Sequence, residues 1–177
     1  MKCVLLALAL VCAVQAIDVP QPMKDVDIQK LPGKWYTVAM AANNIALLDA
    51  KNTHLKVFVK ALALTPENNL EITLSEWEDN KCVEKAILAE KTSNPAYYSI
   101  NYAKENQVVV VSKDQKEVSL CMENTTAPEK SLVCLFLAKD PNTKDKVMGK
   151  FVSVLEDLSV QPQILLDLTQ ADEPCRI

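Results

Sequence analysis

Short runs of alternating apolar and polar residues fill most of this chain, and turn residues separate them where helices would otherwise stand. Leu55, Val57 and Val59 share one face of a strand, with Lys56, Phe58 and Lys60 on the other. After the turn Thr65-Pro66-Glu67-Asn68-Asn69, Leu70, Ile72 and Leu74 alternate with Glu71, Thr73 and Ser75. A turn at Glu78-Asp79-Asn80-Lys81 leads to a strand over Cys82–Ala89, and Ser93-Asn94-Pro95 leads to one over Tyr97–Tyr102. Residues 103–106 read as a short polar loop. Gln107–Ser112, with four consecutive valines, reads as strand. Val118, Leu120 and Met122 alternate with Ser119 and Cys121, Glu123–Lys130 turns, and Ser131–Lys139 is strand-like throughout.

The period then changes. Val147, Phe151, Val154, Leu155 and Leu158 lie three and four apart, the face of one helix, with Asp140-Pro141 as its expected start and Pro162 closing the segment. Ile164–Leu168 reads as a last short strand. About eight strands in immediate succession, then a helix and a ninth strand, predict an all-β antiparallel sandwich or barrel. An eight-stranded up-and-down barrel has room inside for one small ligand.

Near the start, Gly33-Lys34-Trp35 opens an apolar run. Gly33 suits a tight turn into a strand, and Trp35 brings a large apolar body with one N–H donor. Alanine-rich Ala39–Ala50, with Asn43-Asn44, reads as a loop with a short helical turn.

Met1-Lys2, the apolar run Val4–Val14 and the small residues at Val14-Gln15-Ala16 have the form of a secretory leader cleaved after Ala16. The run is shorter than the ~20 apolar residues that span a bilayer, so no membrane insertion is expected. The expected organisation is a leader at 1–16 and one domain at 17–177. Cys3 and Cys12 leave with the leader, and Cys82, Cys121, Cys134 and Cys175 remain. An even count in a secreted chain suggests two disulfides, with three possible pairings. Cys121 and Cys134 sit on neighbouring strand-like segments, where a hairpin staple is natural, leaving Cys82 for Cys175.

Charge and composition remove several functions. The formal net charge is −4, and loss of Lys2 makes it one unit more acidic; a nucleic-acid binder would show a basic face. Two glycines, Gly33 and Gly149, cannot build a phosphate-cradling loop. One histidine, His54, cannot make a multi-histidine metal site, and oxidised cysteines supply no thiolates. No Gly-x-Ser-x-Gly elbow is present, and no carboxylate pair stands out among the many glutamates. No cofactor, metal or catalytic role is expected.

The inward candidates are Leu55, Val57, Val59, Leu70, Ile72, Leu74, Ile87, Ile100, Val108, Val110, Leu120 and Met122. Periodicity does not distinguish a packed interior, the commoner use of such residues, from a cavity for an apolar ligand.

The leader together with Gly33-x-Trp35, Asp27-Ile28-Gln29-Lys30, Ala39-Met40-Ala41-Ala42, Leu47-Leu48-Asp49-Ala50, Leu70-Glu71-Ile72, Cys121-Met122-Glu123-Asn124 and Glu173-Pro174-Cys175-Arg176 resembles the lipocalins along the whole chain. The resemblance implies an eight-stranded calyx with a flanking C-terminal helix and a ninth strand, and disulfides Cys82–Cys175 and Cys121–Cys134. It implies a calyx for retinoids, fatty acids and similar molecules, adds Leu62 to the lining, and places Lys85 near the mouth. Glu76 stands where the family has a second mouth lysine. Glu105 matches a loop glutamate that acts as a pH latch on a lid; a carboxyl shielded by a closed lid has a raised pKa, and ionising it favours opening. At the closed end the family motifs map onto Gly33, Trp35, Asp114 and Lys139. Asp114 is what remains of a longer motif, and Lys139 replaces an arginine that stacks on the tryptophan. Asn124-Thr125-Thr126 is the one N-glycosylation sequon. The implied function is a secreted, non-catalytic carrier of the milk-whey kind, with a homodimer suggested by family. A reproductive-tract signalling glycoprotein and a nutritional protein with incidental binding are the alternatives.

Overall fold

The computed structural model describes residues 27–49, 56–102, 104–114, 116–124, 131–143, 146–170 and 172–177. The leader, Leu55 and His54 therefore lie outside the described residues. A 3-10 turn at Ile28–Lys30 precedes β1 (Gly33–Lys34) and β2 (Tyr36–Ala42). A one-turn helix, α1 (Ala46–Asp49), follows. Then come β3 (Phe58–Leu64), β4 (Leu70–Glu78), β5 (Lys81–Lys91), β6 (Tyr97–Tyr102), β7 (Lys104–Asp114), β8 (Glu117–Asn124) and β9 (Leu132–Ala138). Helix α2 (Val147–Asp157) and strand β10 (Ile164–Asp167) complete the order.

β3 to β9 form a continuous antiparallel meander, each strand paired with the next. β1 and β2 are one strand broken at Trp35, and the break closes the sheet. β1 pairs with β3, placing Gly33 opposite Leu62, while β2 pairs with β9, placing Tyr36 opposite Ala138. Further along β2, Ala39–Ala42 take β10 on their other side. The barrel is thus zipped at the Trp35 end and continues outward as an open calyx. Asp79 and Asn80 join β4 to β5 with both φ positive, the geometry that matches the twist of a two-residue hairpin.

Two apolar layers explain the chain's least periodic stretches. Val108 and Val110 point into the barrel core, while Val109 and Val111 belong to a second cluster under α2. In the same way Val133, Leu135 and Leu137 face in, and Cys134, Phe136 and Ala138 lie under the helix. Phe136 stacks on Phe151 of α2 with centroids 5.2 Å apart. β2, β9 and the valine run of β7 are therefore buried and largely apolar on both faces, whereas β5 alternates exposed and partly buried residues along most of its length.

The all-β barrel with a C-terminal helix and an outer strand agrees with the sequence expectation. Four local expectations are corrected. The loop expected from Ala39 is strand as far as Ala42, and the expected short helical turn is Ala46–Asp49. Phe58, placed on a polar face by alternation, is buried like Val57 and Val59; a register shift between Val59 and Ala61 then resets the parity so that Leu62 also faces in. The polar loop at residues 103–106 is not a loop at Lys104–Asn106, which pair with Ile100–Tyr102 as the start of β7. The helix begins at Val147 rather than at Pro141. Asp140 closes a turn instead, its carboxylate accepting from the Asn142 N–H and its carbonyl from the Thr143 N–H, and Lys146 at φ 65 redirects the chain into α2.

Both disulfides are formed. Cys121 and Cys134 face each other in register across β8 and β9, and Cys82 ties the start of β5 to the C-terminal tail at Cys175.

Candidate functional site

The inner faces of β3 to β9 enclose an apolar cavity. The empty space within it, open solvent at the mouth included, is about 450 Å³, of which about 40 Å³ admits the centre of a water-sized sphere. Of the residues expected from the sequence, Val57, Val59, Ile72, Leu74, Ile87, Ile100, Val108, Leu120 and Met122 form its wall. Leu62, Leu70 and Val110 lie outside the wall, buried in the packed core of the same barrel. One barrel thus holds both a packed core and a cavity.

Tyr102, Val133 and Leu135 also line the cavity and were missed. Tyr102 shares the parity of Ile100, which was the available signal. β9 gave none, because helix α2 covers its outer face and both faces read as apolar.

A polar cluster stands at the wall's edge. Glu76 follows Ile72 and Leu74 on the inward face of β4 and is only 1% exposed. Its carboxylate accepts from the Tyr102 hydroxyl at 2.5 Å and from the Lys85 ammonium. Lys85, opposite Leu74 in register, also meets Glu78 at 3.0 Å. The hydrogen bonds that the Lys85 ammonium donates to Glu76 and then to Glu78 hold it above its usual range. Burial, followed by the bond to Glu76, pushes the Tyr102 phenol far up. Lys85, across from the wall residue Leu74, is thus already engaged by two carboxylates.

At the closed end the Trp35 indole N–H donates to the Leu31 carbonyl at 2.7 Å. The Lys139 ammonium sits 3.9 Å from the centre of the Trp35 ring and donates to the Lys34 carbonyl at 3.2 Å. Gly33 has φ +131, and a Cβ there would lie 3.1 Å from that ammonium. Asp114 pairs with Glu117 in the adjoining hairpin, whose Lys116 carbonyl accepts from the Lys139 N–H. Arg176, which the sequence did not single out, is buried beside this end and donates to the Thr37 and Pro141 carbonyls. Burial lowers the pKa of both Lys139 and Arg176. Glu105 lies opposite Asn101 in the β6–β7 hairpin, and Asn124 is the last residue of β8.

The sequence profile of the lipocalin / cytosolic fatty-acid binding protein family matches residues 32–172. The chain belongs to the lipocalin family. Human glycodelin is 43% identical over 99% of each chain. Beta-lactoglobulin-2 of Canis lupus familiaris is 45% identical over 91% of this lipocalin and all of that protein, and beta-lactoglobulin-1 of Equus asinus is 45% identical over 90% and 99%. Among solved structures, an odorant-binding protein aligns with TM-score 0.71 at 17% identity, covering 85% of this chain and 98% of that one. The possum milk whey lipocalin trichosurin, solved with bound 4-ethylphenol, aligns with TM-score 0.71 at 18% identity, covering 81% and 99%. These two share the fold.

Proposed function

We propose that this lipocalin is a secreted carrier that holds one small apolar molecule inside the calyx and performs no catalysis on it. The observation that carries the reading is the cavity wall, aliphatic on every strand from β3 to β9 with Tyr102 as its one polar tip. Such a wall binds by removing apolar surface from water, and it positions no nucleophile or general base. Two disulfides fit an oxidising extracellular compartment, and no helix among the described residues is long and apolar enough to cross a membrane. The similarity to beta-lactoglobulins favours a milk protein.

The test is a titration of the leader-free, disulfide-bonded protein with retinol, followed by Trp35 and Trp77 fluorescence. Saturable one-to-one binding is expected, and Leu120→Trp, which fills the channel, removes it while circular dichroism stays native. Absence of saturable binding overturns the carrier. Glu105 is the proposed pH latch, carried on a hairpin rather than a loop. Binding then strengthens between about pH 6 and pH 8, and Glu105→Gln abolishes that dependence.

The sequon favours a second reading, a glycodelin-like signalling glycoprotein. It starts at the last residue of β8 and runs into the β8–β9 connection. A mass shift of the secreted protein on glycosidase treatment, lost in Asn124→Gln, supports this reading, and an unshifted mass removes it.

A further inference from the structure

The side wall of the calyx is unstitched between two of its strands. β5 pairs with β4 from Lys81 to Ala89, but with β6 only at Ala89, Glu90 and Lys91, which face Ile100, Ser99 and Tyr98. Among the described residues the ladder stops there, so Lys81–Leu88 present their β6-side edge without backbone pairing. Burial reports the same gap. Ile87 and Ile72 face each other in register on the inner wall, yet Ile72 is 4% exposed and Ile87 is only partly buried. Leu74, the next inward position of β4 towards the mouth, is as buried as Ile72. Water therefore reaches Ile87 from the β6 side and not down the mouth. Both banks of the seam are apolar on the inside: Ile87 on β5, and Ile100 and Tyr102 on β6, all three lining the cavity. On the outside Leu88 stands exposed at the β5 bank. The bond that the Tyr102 hydroxyl donates to Glu76 runs from β6 to β4 past the intervening β5, and it straps the outer end of β6 to the wall.

We propose that apolar ligands enter and leave the calyx sideways, by parting β5 from the outer end of β6, with Tyr102 as the gate. The inference rests on the carrier reading above. Parting these strands beyond Ala89 and Ile100 breaks no backbone hydrogen bond between them, whereas every other neighbouring pair from β3 to β9 is laddered along most of its length and would lose such bonds. The three-residue ladder at Ala89–Lys91 stays closed as the hinge and keeps the packed end of the barrel intact. A ligand passing between Leu88, Ile87 and Tyr102 stays against apolar surface from solvent to cavity, so little of its burial is delayed until the end of the path. The strap to Glu76 opens and closes with the outer end of β6, which makes it a control on the rate of exchange.

Stopped-flow fluorescence with retinol as the probe reads the route through its rates. Leu88 and Asn101 are both exposed and stand one step beyond the last paired residues, Ala89 and Ile100, so a Leu88→Cys/Asn101→Cys bridge staples the seam without touching the cavity wall. The bridged protein is expected to take up and release retinol about tenfold more slowly than a Leu88→Ser/Asn101→Ser control, with the two dissociation constants within about threefold. Tyr102→Phe, which removes the strap and keeps the ring, is expected to raise the association rate constant about fivefold. Intact mass confirms the bridge and near-UV circular dichroism checks each fold; Tyr102→Phe decides the matter if the bridge does not form. Rates of the bridged protein within about twofold of its control, or an association rate unmoved by Tyr102→Phe, overturn the side entrance and leave the carrier standing. Failure of the wild type to bind retinol removes the carrier reading and the side entrance with it.

Discussion

Lys139 caps Trp35: its ammonium lies 3.9 Å from the ring centre and is tied to the Lys34 carbonyl, on the residue just before the tryptophan. The contact joins the end of β9 to the break between β1 and β2, where the barrel closes. A partly exposed cation–π contact contributes about 0.5–1 kcal/mol, and a charged hydrogen bond adds to it. Lys139→Gln is therefore expected to lower stability by about 1 kcal/mol in urea unfolding. Lys139→Arg, which restores a cation and adds planar stacking, is expected to match or exceed the wild type. Equal stability of all three proteins would show that the contact contributes nothing.

Gly33 is the backbone counterpart of that contact. Its φ of +131 strains any L-residue, and a Cβ would crowd the same ammonium at 3.1 Å. Gly33→Ala is expected to cost about 1–3 kcal/mol. Combining it with Lys139→Gln separates the two causes. Crowding makes the double variant less damaged than the sum of the single ones, whereas backbone strain alone makes the two effects additive.

The fold was legible wherever one face of a strand meets water. Tyr97–Tyr102 was read end to end, and β5 was found with its ends slightly short, because their partners alternate against solvent. Where α2 covers the barrel the period vanishes, which is why Val133 and Leu135 were not assigned to the wall. The start of α2 was misplaced because Asp140-Pro141 carries the residue types of both a helix start and a turn, and local hydrogen bonding chose the turn. Polar residues at inward positions were the least legible. Tyr102 was not among the inward candidates, and the strand register places it at the wall, whereas Glu76 was tied to the mouth by the resemblance alone.

The two disulfides close loops of very different length, and their removal should separate accordingly. Cys82–Cys175 spans 93 residues and Cys121–Cys134 spans 13. Loop-closure entropy assigns them about 4–5 and about 3 kcal/mol. The Cys82→Ser/Cys175→Ser pair is expected to lose more stability in guanidinium unfolding than the Cys121→Ser/Cys134→Ser pair. It also releases the tail that carries Arg176 onto the Thr37 and Pro141 carbonyls. A larger loss from the short bridge would mean that native packing under α2 outweighs the loop term.

Alkaline stability follows from three phenols. Burial raises the pKa of Tyr97, with Glu123 adding to it, of Tyr98 by itself, and of Tyr102 furthest, with Glu76 adding to it. A phenol held above its unfolded value gives stability that is fully present below about pH 10 and is lost as pH rises beyond it. Unfolding free energy is therefore expected to stay flat with respect to these groups up to about pH 9 and then to fall. Tyr102→Phe removes the most shifted phenol and should make that fall shallower. It also costs about 1.5–3 kcal/mol near neutral pH, because Glu76 loses a donor in a buried place. Phenolate absorbance followed alongside circular dichroism reads the coupling: the buried phenols should ionise together with the loss of native signal. Their smooth titration near pH 10 in a protein that keeps its native spectrum would show that the phenols reach water without unfolding, and the stability of the cluster would then have another source.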